Sequence, residues 1–215
     1  MSGHDDFAFE PMPGLPERPP TGEDILWQGR PSTWALAVHA FGLYWIAGYF
    51  VLLAVWRAST GFAAGGFGMA IAVGLPHLAL GALVCAVVVL LAYAQARATV
   101  YTVTSARVAM RIGAALSVTF NLPYAQIANA KLDLRKSGIG TIVLDTLGDT
   151  KISYLVAWPH VRPWHLRKTQ PALRCIRDAA RVARLLSDAA EQRLSMPVIS
   201  RKNDAPTPSG VPAAK

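Results

Sequence analysis

Between Ser32 and Ala96 the chain carries a single charged side chain, Arg57. A hydrocarbon core about 30 Å thick takes roughly 20 apolar residues of helix to cross, so the stretches on both sides of Arg57 are long enough to lie in a membrane. The first predicted span covers about 33–56, with Trp34 and Trp56 near its ends, where an indole keeps its body in lipid and its N–H in water. The second stretch is too long for one span and barely long enough for two. Gly74, Leu75 and Pro76 divide it. Residues 75–96 read as a full helix with proline in its first turn, where a missing N–H costs nothing. The glycine-rich piece 62–73 is too short to cross alone and reads as an extension of that helix or a re-entrant segment, with a third span as the alternative.

Orientation follows from the basic residues. After Ala96 the chain holds eighteen Lys and Arg against seven Asp and Glu, and the flanking Arg97, Arg107 and Arg111 keep this region in the cytoplasm. Residues 1–30 form an acidic, proline-rich tail ending in the apolar patch Ile25-Leu26-Trp27, which could dock on the membrane or on the soluble domain. The two cysteines, Cys85 and Cys175, make neither a disulfide framework nor a metal-binding spacing.

Past Arg97 the period changes from helical to two. Val108, Met110 and Ile112 alternate with Arg107, Ala109 and Arg111, and Val118, Phe120 and Leu122 with Thr119 and Asn121, as in half-buried antiparallel strands. Thr99 to Ser105 precedes them as a β-branched run, and Gly113-Ala114-Ala115 is short enough for a hairpin turn. Gln126 to Arg135 continues the series with Leu132 and Leu134 inward. Thr141 to Leu147 and, beyond the turn at Gly148-Asp149, Lys151 to Val156 are predicted to complete about six strands. A helix is predicted over 171–194, with Pro171 in its first turn, Leu173, Ile176, Ala180, Ala183, Leu186 and Ala190 on its inner face, and an arginine stripe beside them. Residues 195–215 read as a disordered tail.

The expected fold class is therefore an α+β membrane protein: a transmembrane helical hairpin over 31–97, then an antiparallel β domain over 98–194 with a C-terminal amphipathic helix. That plan resembles the pleckstrin-homology (PH) superfold in its bacterial membrane-associated form, on Tyr101-Thr102-Val103-Thr104, Arg107-Val108 and the Leu122-Pro123-Tyr124-Ala125-Gln126-Ile127 step. With Gly22 to Pro31 before the first span, and Trp158 to Trp164 leading to Ala179-Ala180-Arg181-Val182-Ala183, the chain resembles the PuhB family of photosynthetic reaction-centre assembly proteins over roughly 10–190. The resemblance implies an assembly factor in the inner (intracytoplasmic) membrane of a purple phototrophic bacterium. Its implied partners are reaction-centre and light-harvesting membrane subunits; membrane lipids and a second copy of the chain are further candidate partners. The alternative is a generic membrane-anchored PH-like protein that binds lipid or oligomerises.

Three groups of residues are candidates for contact. Arg174, Arg177, Arg181 and Arg184, joined by Arg162, His165, Arg167 and Lys168, would draw an anionic lipid surface or an acidic polypeptide, each charge being worth about 1 kcal/mol beside anionic lipid; a solvated helix face is the plain alternative. Trp158, Pro159, His160, Pro163 and Trp164 would present a stiff contact segment or complete the β core. His39, with Ala35 one turn earlier, is a candidate ligand for bacteriochlorophyll, against the commoner role of an interhelical hydrogen bond. Nucleic acid is disfavoured, because the aromatics are not interleaved with the basic residues. No phosphate loop, zinc motif, nucleophile elbow or intramembrane carboxylate is present, so an enzyme is not expected.

Overall fold

The computed structural model describes residues 14–15, 17–114, 117–135, 137–148 and 152–195. The expected tail beyond Met196, the first thirteen residues, and Ala115, Leu116, Asp149 and Lys151 from the expected turns and strands lie outside them.

The alternating segments pair as their pattern demands. Strand β2 (Val100–Thr104) runs antiparallel to β3 (Arg107–Ile112), and β3 to β4 (Val118–Pro123), with Tyr101 opposite Met110 and Val108 opposite Leu122. A second sheet holds β5 (Ile127–Leu134), β6 (Gly140–Thr146) and β7 (Ala172–Ile176) in that order. Tyr101, Met110, Ile142, Leu144 and Leu173 fill the space between the sheets. The amphipathic helix α4 (Ala179–Ser195) closes it with Ala179, Val182, Leu186 and Ala189. Burying these apolar faces at about 25 cal/mol per Å² is the main force holding the domain together.

The apolar patch of the expected tail has a defined place. Ile25–Gly29 is strand β1, which pairs with β2 at the edge of the first sheet. Trp27 packs on the core, and Glu23 accepts from Arg107 Nε at 2.9 Å. The β domain therefore begins before the apolar region, and that region is an insertion between two paired strands.

The insertion differs from the expected layout. Helix α1 (Thr33–His39) is a separate short element, and α2 (Leu43–Ala98) is one helical element long and apolar enough to cross a membrane, where two spans over 33–56 and 75–96 were expected. The helical backbone is broken at Gly65 and Gly66, not at the Gly74-Leu75-Pro76 step. Gly66 has φ 72°, a conformation open to glycine at no steric cost. Past this bend the chain folds back: Gly81 lies against Phe50, Gly74 against Ala58, and Gly61 against Val73. Residues 62–73 hold the bend of α2 and parts of both its arms. Pro76 lies within the second arm, well past its start. Proline removes a helix N–H, and His77 Nδ1 donates to the Val73 carbonyl at 2.8 Å in the same turn.

The end of the chain also corrects the expectation. Ala172–Ile176 is a strand, buried on one side by the core and on the other by α1 and Cys175's surroundings, so the helix starts at Ala179 instead of Pro171. Burial from both sides erases the alternation that marks a half-covered strand. Ser32 N–H donates to the Cys175 carbonyl at 2.8 Å, tying the entry of α1 to this strand. The expected strand ending at Val156 is instead the single helical turn α3 (Tyr154–Ala157). Leu132 and Leu134 are not inside: they are 40% and 51% exposed, because β5 is an edge strand that α4 covers only in part.

Candidate functional site

Where α1, β2, β7 and the 158–163 segment meet, a chain of polar groups runs through the interior. The Tyr101 hydroxyl accepts the Arg174 backbone N–H at 3.2 Å, so its own proton goes to His160 Nδ1 at 2.6 Å. His160 Nε2–H then donates to Thr99 Oγ1 at 3.0 Å. Burial, seconded by the Arg174 charge, pulls the His160 pKa down to about 3, so the ring is neutral and each of its nitrogens is used. Burial likewise raises the Tyr101 phenol, which stays protonated. Such a fully satisfied chain fixes how the 158–163 segment sits on β2.

Arg174 crosses the junction between the insertion and the β domain. Its guanidinium donates to the Pro159 carbonyl at 3.1 Å and to the His39 carbonyl at 2.9 Å. Burial lowers its pKa from the usual arginine value, and Nε has no hydrogen-bond partner. On the outer face of the second sheet a groove of about 360 Å³ opens beside it, lined by Lys131, Arg135, Arg162 and Arg174 with Asp133 as its carboxylate and His39 at its edge. An aromatic contact lies next to it: Trp158 meets Phe41, between α1 and α2, edge-on at 5.0 Å. Trp164, Leu155 and Leu166 are exposed by 89%, 85% and 65%.

The arginine stripe is not one surface. Arg174 is buried on β7 and Arg177 sits in the turn before α4, leaving Arg181 and Arg184 as exposed residues of the helix. Lys168 is paired with Asp145 at 3.1 Å, and that contact holds the Asp145 carboxyl below the usual range. Arg162 donates to Gln170 at 3.1 Å, His165 bonds the Pro163 carbonyl, and Arg167 is exposed. The Trp158 to Trp164 segment divides between both sequence readings: His160 completes the interior, whereas Trp164 faces outward. His39, expected within the first span, lies outside α2. It ends α1, exposed, beside β5 and β7, where neighbouring cations add to desolvation in lowering its pKa. The alternation around Leu132 and Leu134 points Lys131 and Arg135 away from them, but nothing in the sequence placed Lys131, on β5, and Arg135, just past its end, beside Arg162.

Two sheets closed by a C-terminal helix, with an apolar element attached, agree with the family comparison. A model described as the Bacterial PH domain matches residues 33–190. The chain belongs to the bacterial PH domain family. The matched range starts after β1, so the first strand of this PH-like domain lies before the match. A relative from Rhodobacter capsulatus, described as an uncharacterized 23.7 kDa protein in the puhA 5′ region, is 47% identical over 201 residues, covering 93% of this chain and 94% of that protein. No solved structure matches.

Proposed function

We propose that this bacterial PH-domain protein is an integral-membrane assembly factor for the photosynthetic reaction centre and its light-harvesting complex in a purple phototrophic bacterium. One observation carries the photosynthetic part. The relative that covers nearly the whole chain takes its description from the puhA 5′ region, in agreement with the resemblance to the PuhB family.

The geometry supports the membrane part. Each arm of α2 exceeds the roughly 20 residues a bilayer core requires, and Trp45, Leu52, Phe67, Leu83 and Leu90 are exposed along them. Because β1 and β2 are hydrogen-bonded neighbours, the insertion must leave and re-enter the β domain on one side, which favours two crossings over three. Arg97, Arg107 and Arg111 then put both chain ends in the cytoplasm. In this reading the arms pack laterally on membrane subunits while Arg177, Arg181 and Arg184 attract their acidic ends. Neither a catalytic step nor bound bacteriochlorophyll enters the proposal, since His39 lies outside α2.

Deleting the relative in Rhodobacter capsulatus is expected to lower reaction-centre absorbance in phototrophic cells, and expressing this chain should restore it. The Arg177, Arg181 and Arg184→Gln protein should restore less while remaining in the membrane fraction, as Gln keeps helix propensity without charge. Absorbance that does not change on deletion would overturn the assembly role. Reporters fused to either end should be active only in their cytoplasmic form; opposite signals from the two ends would mean an odd number of crossings.

A further inference from the structure

We propose that the groove between β5, β6, the end of α1 and the Arg162-Pro163 turn holds the phosphate of an anionic phospholipid headgroup. The inference rests on the membrane reading above and assigns a ligand to one place within it. Three independent features converge there.

The first is charge. Lys131 from β5, Arg135 just past its end, Arg162 from the turn and Arg174 from β7 face one cavity with only Asp133 against them. The second is the state of Arg174. It is 6% exposed, its terminal nitrogens are held by two carbonyls, its Nε is unpartnered, and no carboxylate pairs with it among the described residues. A buried cation without a counter-charge is costly, and a phosphate beside it supplies both charge and acceptor oxygens. Burial lowers the arginine pKa in the direction this uncompensated charge requires.

The third feature is place. His39 at the groove's edge is followed by Phe41 and then by the start of α2 at Leu43, so the groove opens near the level where the apolar element begins. Trp158 packs on Phe41, and Trp164 and Leu166, next along the chain from Pro163, are exposed. Exposed indole and aliphatic groups beside a cationic cleft suit the bilayer interface, where rings lie at headgroup depth and Lys and Arg meet phosphates. An acidic peptide would answer to the cations but leave the apolar rim unexplained. The groove's volume is of the order found for small-ligand sites.

The full-length protein would be placed in phosphatidylcholine nanodiscs containing a minority of phosphatidylglycerol, and the lipids it retains counted by native mass spectrometry. The parent should retain phosphatidylglycerol preferentially. Lys131→Gln, Arg135→Gln and Arg162→Gln together should reduce that preference at least about tenfold, whereas Arg181→Gln with Arg184→Gln should leave it intact. Arg174 is kept in both, because it ties α1 to the β domain. Equal retention by the triple variant and the parent, or a loss confined to the Arg181 and Arg184 variant, would overturn the site. Displacement of phosphatidylglycerol by an equal concentration of inorganic phosphate would assign the groove to a free anion, and displacement by a Glu-rich peptide to a polypeptide; either result overturns the lipid proposal, and persistence against both supports it. A parent that resists alkaline carbonate extraction yet shows no lipid preference defeats this inference alone. A parent released by carbonate defeats the membrane reading instead.

Discussion

Lowering the pH from 7 to 4 is expected to destabilise the β domain by about 3 kcal/mol through His160 alone. In the unfolded chain this imidazole titrates near its ordinary value of 6.5, while in the fold burial, and then the Arg174 charge, bring it down to about 3. Between those values the unfolded state binds a proton that the native state refuses. The contribution is therefore fully present above about pH 6.5 and is lost progressively as the pH falls toward 3. Protonating the ring in place is no escape, because Nδ1 would have to give up its role as acceptor from Tyr101. Thermal unfolding of the full-length protein in detergent should show a midpoint lower by roughly 10 °C at pH 4 than at pH 7. His160→Gln should be less stable at pH 7 and lose less on acidification. Asp145 acts in the same direction through its lowered pKa, but it is partly exposed and present in both proteins. If the parent and His160→Gln lose stability in parallel, another group carries the acid sensitivity.

Gly81→Leu is expected to force the two arms of α2 apart at a cost of about 1–3 kcal/mol. A Cβ at position 81 would fall 2.5 Å from Phe50 Cβ and 2.8 Å from its Cγ, closer than carbon atoms pack. Gly48 is the matched control, since a Cβ there meets nothing within 4 Å. Helices in lipid gain little from removing apolar surface, because the tails they displace are equally apolar, and so close backbone approach matters more than in water. The detergent-solubilised Gly81→Leu protein should unfold several degrees below the parent, and Gly48→Leu close to it. Equal midpoints for the two variants would mean that α2 is not folded back along the Gly61, Gly74 and Gly81 side.

The sequence errors and successes have the same physical origin. Strands β3 and β4 were legible because an apolar row, Val108, Met110 and Ile112 and then Val118, Phe120 and Leu122, alternates with small or polar residues, although the fold covers Ala109 and Arg111 of β3 as well, and in β6 buried residues alternate with half-covered ones. Strand β7 was misread as the start of a helix. Its residues are buried on both faces, and a run such as Ala172-Leu173-Arg174-Cys175-Ile176 fits either element when periodicity is silent. The error moved Arg174 from a buried strut to an exposed stripe. It also shifted the inner face of the helix, which is built on Ala179, Val182, Leu186 and Ala189.

From residue order alone came the long apolar element, the excess of basic charge after it, the antiparallel β domain and the terminal amphipathic helix, because each depends on a local pattern of polarity. Tertiary structure decided the rest. The break in α2 falls at Gly65 and Gly66 where the Gly74-Leu75-Pro76 step was expected, since the packing of one arm on the other selects the hinge. Strand β1 joins the sheet through hydrogen bonds to residues more than seventy positions away, with the whole apolar insertion between. The groove likewise draws Lys131 and Arg174 from two strands and Arg135 and Arg162 from two separate turns. No local pattern records such a meeting, because its energy lies in contacts that exist only once the chain has folded.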